Sequence, residues 1–333
     1  MRGTRVLANA ATIGEESPVT LRIAMLGTGS FALPTFQGLL DSRHTLVGLV
    51  TQPDKTGAGH HQHRNPLKEL AVARELPVFQ PEKASAPESL EVLASWQADL
   101  YVVAAYGQIL SNKLLSIPRL GAINVHASIL PKYRGASPIQ HAVWLGEAET
   151  GITIFQIVRE LDAGPVLAIE RTPIGPNETS GELEERLATF AVPVLLRVVE
   201  QLDSGTATPQ PQENSQSTYA RRLSKADGQI VWTQTASEIA CHVRAMQPWP
   251  KAFSFWQRPD GSSLRVILPR ASVVADDSSV PSGSVLPSAP GRLLIKAGRD
   301  AVELESLQPE GKRPMSAAEF LRGYPVQPGE RFQ

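Results

Sequence analysis

"RIAMLGTGSFALPTFQGLLDS", Arg22–Ser42, reads as a buried strand, a glycine turn and a helix. Ile23 to Leu26 form an uninterrupted apolar run, as a strand covered on both faces requires. Phe31, Phe36, Leu39 and Leu40 then offer one helix face. The pattern continues outward. "HTLVGLVTQPD" is a second strand, and "NPLKELAVARE" opens a helix with Asn65 at the N-cap and Pro66 at the first helical position. "LPVF" is a short strand, "APESLEVLASWQ" a helix, and "DLYVVAAYG" an apolar strand. "GAINVHAS", a helical "PIQHAVWLG", and strands "GITIFQIV" and "PVLAIERTPI" follow, then a long amphipathic helix from about Thr179 to Leu202. Strands alternating with helices predict an α/β fold, a parallel sheet with helices on both faces.

The texture changes at "SGTATPQPQENSQST", residues 204–218, a polar, proline-bearing stretch with no periodicity and the composition of a linker. Beyond it "TASEIACHVRAMQ" is one short helix. "QIVWT", "AFSFW", "SLRVILPRASVV", "GSVLPS", "GRLLIKAG" and "DAVELESLQ" are strands separated by turn signals. That spacing predicts a small β-barrel or sandwich. At 333 residues two domains are expected. The boundaries are a flexible extension at 1–20, a first domain at 21–203, the linker at 204–218 and a second domain at 219–333.

The composition is that of a soluble globular protein, 42% hydrophobic and 20% charged. There is no apolar run long enough to span a membrane. The single cysteine, Cys241, excludes an internal disulfide and a Cys-rich zinc site, and fits a reducing, cytoplasmic setting. The net charge of −1 is unevenly spread. From position 207 onward 15 Lys+Arg stand against 12 Asp+Glu, and the first 206 residues hold 17 against 21. A basic second half on an acidic first half is a mild pointer to an anionic partner.

"GTGSFA", Gly27–Ala32, matches the dinucleotide fingerprint, but the second strand ends "VTQPDK", which puts Asp54 past a proline where a ribose contact is poorly placed. A helix N-terminus open to a polar group is the better reading. "DKTGAGHHQHRN" is a glycine-bearing loop with His60, His61 and His63. No carboxylate or cysteine completes a metal set, and Lys55 and Arg64 suit contact with a polyanion. In "AINVHASILPKYRGASPIQ", Ala122–Gln140, Asn124 and His126 lie two apart on a strand and so share a face. "RELDAGPV" adds Asp162 in a loop. An amide to hold an oxyanion, an imidazole to move a proton and a carboxylate to orient the imidazole or a water suit acyl chemistry. No G-x-S-x-G elbow is present, so direct transfer to an external nucleophile is expected.

These stretches, with "INVHASILPKYRGASPIQ", "ETGITIFQIVRELDAGPVL", "AAYGQIL", "YARRLSKADGQIVW" and "LQPEGKRPM" in order over about residues 21–323, closely resemble the methionyl-tRNA formyltransferase family. The resemblance implies a Rossmann-like formyltransferase domain, a linker and an OB-like barrel. It implies formyl transfer from 10-formyltetrahydrofolate, as cosubstrate and without a metal, to the methionine amine of initiator Met-tRNA, by a monomer off the membrane. It makes Asn124, His126 and Asp162 catalytic, and Asp162 the group that keeps His126 protonated or relays a proton to N10 of the folate. It places the folate against Ser128, Ile129, Leu130 and Pro131, with Tyr106, Gly107, Ile109 and Leu110 as pocket walls. Lys55, Arg64, Arg221, Arg222 and Lys225 become tRNA contacts. A small-amine formyltransferase is the nearest alternative, and the basic region after 207 separates the two.

Overall fold

The structure is a computed structural model that describes residues 20–54 and 65–333. The expected extension (to residue 19), the histidine-bearing loop and the two cations Lys55 and Arg64 lie outside the described residues.

The first sheet is built from β1 (Arg22–Gly27), β2 (Thr45–Val50), β3 (Val78–Phe79), β4 (Leu100–Ala104) and β5 (Ala122–His126), joined through α1 (Ala32–Leu40), α2 (Pro66–Ala73), α3 (Pro87–Ser95) and α4 (Asn112–Leu115). After β5 come the two-residue strand β6 (Arg134–Gly135), α5 (Pro138–Trp144), β7 (Glu149–Gln156), β8 (Val166–Pro173) and α6 (Ser180–Asp203). Local signals place the helix ends. The Asn65 side chain accepts from the Lys68 amide ahead of Pro66, and Thr179 with Glu182 forms a reciprocal capping box at α6. Both sheet faces are covered. Ile23, Met25, Val102, Ile123 and Val125 pack with Phe36 of α1 and Leu187, Ala191 and Leu195 of α6. Ala24, Leu26, Tyr101, Val103 and Ala122 pack with Leu93 of α3 and Leu114 of α4.

The sheet departs from the expected all-parallel arrangement at one edge. Its order is β3-β2-β1-β4-β5-β7-β8, parallel through β5, but β7 runs antiparallel to β5 and β8 antiparallel to β7. The chain between β5 and β7 never returns to the start of the sheet. His126, the last residue of β5, pairs with Thr153, so β7 begins beyond that end and runs back. A β7–β8 hairpin needs no crossover helix.

Residues 204–218 are docked against the first domain. Gln210 bridges Val166, and β9 (Tyr219–Ala220) pairs in parallel with β6. The second domain holds α7 (Ala236–Ala245), β10 (Phe253–Gln257), β11 (Ser263–Val274), β12 (Val285–Leu286), β13 (Leu294–Lys296), β14 (Ala301–Pro309), β15 (Met315–Ser316), α8 (Ala317–Gly323) and β16 (Arg331–Phe332). Its strands are antiparallel in the order β12-β13-β14-β11-β10-β16, with β15 on β14. A bridge between Ser284 and Arg331 joins the two ends of that path and closes a barrel. "QIVWT" is not a strand. Gln229 makes one bridge to Phe253, the chain turns at Val231–Gln234, and Trp232 is buried with its indole N–H on Ser254 Oγ at 2.9 Å. The apolar run there anchors a turn into the core.

Candidate active site

The pleat of β5 divides its side chains as the sequence requires. Ile123 and Val125 enter the larger core, leaving Asn124 and His126 on the opposite face. No side chain among the described residues hydrogen-bonds the half-buried Asn124 amide. His126 is only 6% exposed and packs edge-on against Phe155. Its Nε2 lies 3.0 Å from the carbonyl oxygen of Tyr133. A carbonyl only accepts, so Nε2 carries the hydrogen and a neutral ring keeps its lone pair on Nδ1.

Asp162 reaches this ring from the β7–β8 hairpin. Its Oδ2 stands 3.9 Å from His126 Nδ1 and accepts the Gly135 amide at 2.7 Å. The structure therefore brings Asn124, His126 and Asp162 together, with Asp162 on a hairpin loop instead of a parallel-strand end. The stretch Tyr133–Arg134–Gly135 organises two of the three groups, by the Tyr133 carbonyl on His126 and the Gly135 amide on Asp162. Tyr133, Gly135 and Asp162 adopt positive φ values of 62°, 116° and 48°. A Cβ on Gly135 would meet the Ala220 carbonyl oxygen at 2.7 Å, so only glycine fits beside β9.

The residues read as folate contacts divide. The Ser128 hydroxyl donates to the Lys132 carbonyl at 2.7 Å and is spent on the turn, while the Leu130 amide donates to Thr153 Oγ1 at 3.1 Å. Leu130 is buried, Ile129 and Pro131 half-buried, and the Leu130–Pro131 peptide is cis. β4 and β5 pair, so the turn holding Tyr106, Gly107, Ile109 and Leu110 emerges at the same end of the sheet. Ile109 is 94% exposed, an apolar side chain standing in solvent, whereas Leu110 packs on the smaller core. The Tyr106 hydroxyl is buried with no hydrogen-bond partner among the described residues, and burial pushes its pKa up to about 12. At neutral pH it remains a donor in search of an acceptor.

Two glutamines at this end of the sheet escaped the sequence reading. Gln52 Nε2 donates to the Tyr106 carbonyl at 2.9 Å, and Gln80 Nε2 donates to the Gln52 carbonyl at 2.9 Å. Asp54 accepts from Lys68 and Gln80, which holds its carboxyl below the usual range. Single glutamines in loops carry no pattern of their own. The available signal was position alone, since Gln52 lies two residues past the end of β2 in an α/β sheet. Of the five cations expected to contact tRNA, three lie among the described residues: Arg222 and Lys225 are exposed, and Arg221 forms a bidentate pair with Asp227. That pairing depresses the Asp227 pKa, with Arg221 as the largest cause.

Among the described residues one cluster has ligand-like spacing for a metal, His44, Glu200 and Asp203. His44 Nδ1 accepts the Leu21 amide, so Nε2 bears the hydrogen and donates to Glu200, while Arg43 pairs with both carboxylates. The cluster is an ion-pair network tying α6 to β2's entry, with no lone pair on His44 to offer a cation.

Residues 21–199 match the formyl transferase family and residues 222–325 the formyl transferase C-terminal domain. Among solved structures, a sugar 3N-formyltransferase with dTDP and 5-N-formyl-THF aligns at a TM-score of 0.64 and 15% identity, covering 89% of this chain and 100% of that one. HypX from Aquifex aeolicus in complex with tetrahydrofolic acid aligns at 0.58 and 18%, covering 91% of this chain and 47% of that one. Both likenesses are of fold. The methionyl-tRNA formyltransferase of Pseudoalteromonas translucida is 40% identical over 91% of this chain and 94% of its own length. That of Chromohalobacter salexigens is 41% identical over 94% and 95%. Identity at that level across both domains leaves one conclusion: the chain belongs to the methionyl-tRNA formyltransferase family.

Proposed function

We propose that the protein transfers the formyl group of 10-formyltetrahydrofolate to the α-amine of methionine on initiator Met-tRNA, with Asn124, His126 and Asp162 as its catalytic residues. The observation that carries the site assignment is the geometry around His126. Its Nε2–H is committed to Tyr133, its Nδ1 faces Asp162 at 3.9 Å, and the unpartnered Asn124 amide shares its strand face. Formylfolate supplies an electrophilic carbonyl carbon bonded to N10. As the neutral amine attacks, negative charge gathers on the formyl oxygen, and the Asn124 amide donates to it. His126 Nδ1 takes the proton that the amine must lose, and the Asp162 carboxylate attracts a proton placed there. The same proton passes to N10 as the C–N10 bond breaks, which leaves an N-formyl amide and a tetrahydrofolate uncharged at N10. No acyl-enzyme forms.

The residues present suit the folate. A buried hydroxyl without an acceptor at Tyr106 and an exposed apolar Ile109 are groups a planar, polar-edged ring satisfies, beside the Ser128–Pro131 turn. We assign residues 21–203 to catalysis, 204–218 to the link and 219–333 to tRNA, with Arg222 and Lys225 as exposed cations and Arg221 as a cation shared with Asp227. The protein acts in the cytoplasm, as a monomer. No helix among the described residues is long and apolar enough to cross a membrane.

The test supplies purified protein and 10-formyltetrahydrofolate with Met-charged initiator tRNA, elongator tRNA or free amino sugars. N-formylmethionine on the initiator tRNA, with little on the elongator, is the expected product. Turnover with the small amines alone would keep the chemistry and overturn the substrate.

A further inference from the structure

We propose that Gln212, in the segment between the two domains, is a positioning residue that holds Asp162 in its working conformation. The inference rests on the reading of Asp162 as a catalytic group and adds a residue that sits outside the catalytic domain's motifs.

Gln212 is half-buried in a run where Gln210, Pro211, Glu213 and Asn214 are all exposed. All of its side-chain capacity points inward. Nε2 donates to the Asp162 carbonyl and to the Gly164 carbonyl, both at 2.8 Å. Oε1 accepts from Arg134 Nε at 3.2 Å and Nη2 at 2.7 Å. The two N–H donors thus grip both sides of the residue that follows Asp162. They do so where Asp162 adopts φ 48°, a left-handed conformation that persists only when its surroundings enforce it. A Cβ on Gly164 would fall 1.7 Å from the Gln156 carbonyl oxygen, so the loop passes against β7 with no slack.

Arg134 makes the grip rigid. Its side chain is 4% exposed and has no carboxylate partner among the described residues. Its side-chain acceptors are Gln212 Oε1 and Asn214 Oδ1, the latter at 2.7 Å. A buried guanidinium demands acceptors, and the linker supplies them. The next residue, Gly135, gives its amide to the Asp162 carboxylate. Asp162 is therefore held at its carboxylate by Gly135 and at its own carbonyl by Gln212, and both holders are fixed to the Arg134–Gly135 strand, which is itself paired with Tyr219–Ala220. The linker is part of the active site's frame.

The decisive variant is Gln212→Glu. It keeps the acceptor for Arg134 and so the docking of the linker, but it removes both donors to the loop. Misplacing a reacting group by about an ångström costs on the order of 100-fold in rate. Gln212→Glu is therefore expected to lower kcat by about 10- to 100-fold, with the KM for formylfolate and the melting temperature close to wild type. Gln212→Met, nearly isosteric and uncharged, is expected to show the same kcat loss. If the role is positioning, adding Gln212→Glu to Asp162→Asn costs little beyond Asp162→Asn alone. Wild-type kcat in both Gln212 variants, or losses that multiply in the double variant, would overturn the proposal while Asp162→Asn stays strongly impaired but measurable. An active Asp162→Asn enzyme would remove Asp162 from the reaction and overturn both readings.

Discussion

Tyr106 carries a hydroxyl that burial has left without an acceptor, and burial has pushed its pKa up to about 12. An unpartnered buried hydroxyl costs stability, about 1–3 kcal/mol when nothing satisfies it. Tyr106→Phe is thus expected to raise the melting temperature of the free protein and, by removing a donor from the proposed folate pocket, to weaken formylfolate binding by about ten-fold. Thermal melts and a folate titration check the two signs together. A variant with both quantities unchanged would take Tyr106 out of the pocket. At this scale the sequence showed Asn124 and His126 clearly, because a strand period of two puts them on one face. It could not show that the Tyr133 carbonyl fixes the His126 tautomer. A backbone acceptor has no letter of its own, and that contact depends on φ 62° at Tyr133.

Most elements of the first domain were readable one by one. Asn65–Pro66 and the Thr179–Glu182 capping box fix helix starts within a few residues of chain, through bonds the local sequence names. The antiparallel edge was missed because a run such as "GITIFQIV" is equally apolar in either direction. β8 is an edge strand whose side chains alternate between exposed and half-buried from Ile169 to Pro173, but Ile169 is the exposed one and Glu170 the half-buried one, so the letters carried no apolar alternation to read. The β6–β9 pair was invisible for a different reason. It joins two dipeptides far apart in the chain, and neither has a periodicity to read. The polar stretch 204–218 has linker composition, yet Gln210 and Gln212 dock it onto the β7–β8 hairpin. Composition reports what a segment can solvate, and docking depends on what it meets. The Gln212 variants probe this element.

The two domains meet where Trp144 of α5 stacks on His242 of α7, with ring centroids 4.7 Å apart. His242 is buried, donates from Nε2 to the Asp227 carbonyl at 2.6 Å, and has Nδ1 without a partner. Burial holds its pKa below the ordinary 6.5. Below that pH the unfolded chain binds a proton that the folded one refuses, so His242 costs nothing above about 6.5 and erodes stability as pH falls toward its folded value. Unfolding free energies from pH 7.5 to 5 are expected to fall less steeply in His242→Phe than in wild type, and equal slopes would contradict the assignment. The same junction carries the Ser180 hydroxyl on the Ala245 carbonyl at 2.7 Å, so the start of α6 is tied to the second domain directly.

At the centre of the proposed reaction, the Asn124 amide meets the charge that develops in formyl transfer. Single-turnover formylation of initiator Met-tRNA by Asn124→Ala, run beside a formylfolate binding titration, tests it most directly. Loss of one oxyanion donor costs about 10²–10³-fold in rate, so that drop is expected, with folate affinity little changed. Wild-type turnover, or weakened folate binding with the chemical step intact, would contradict it.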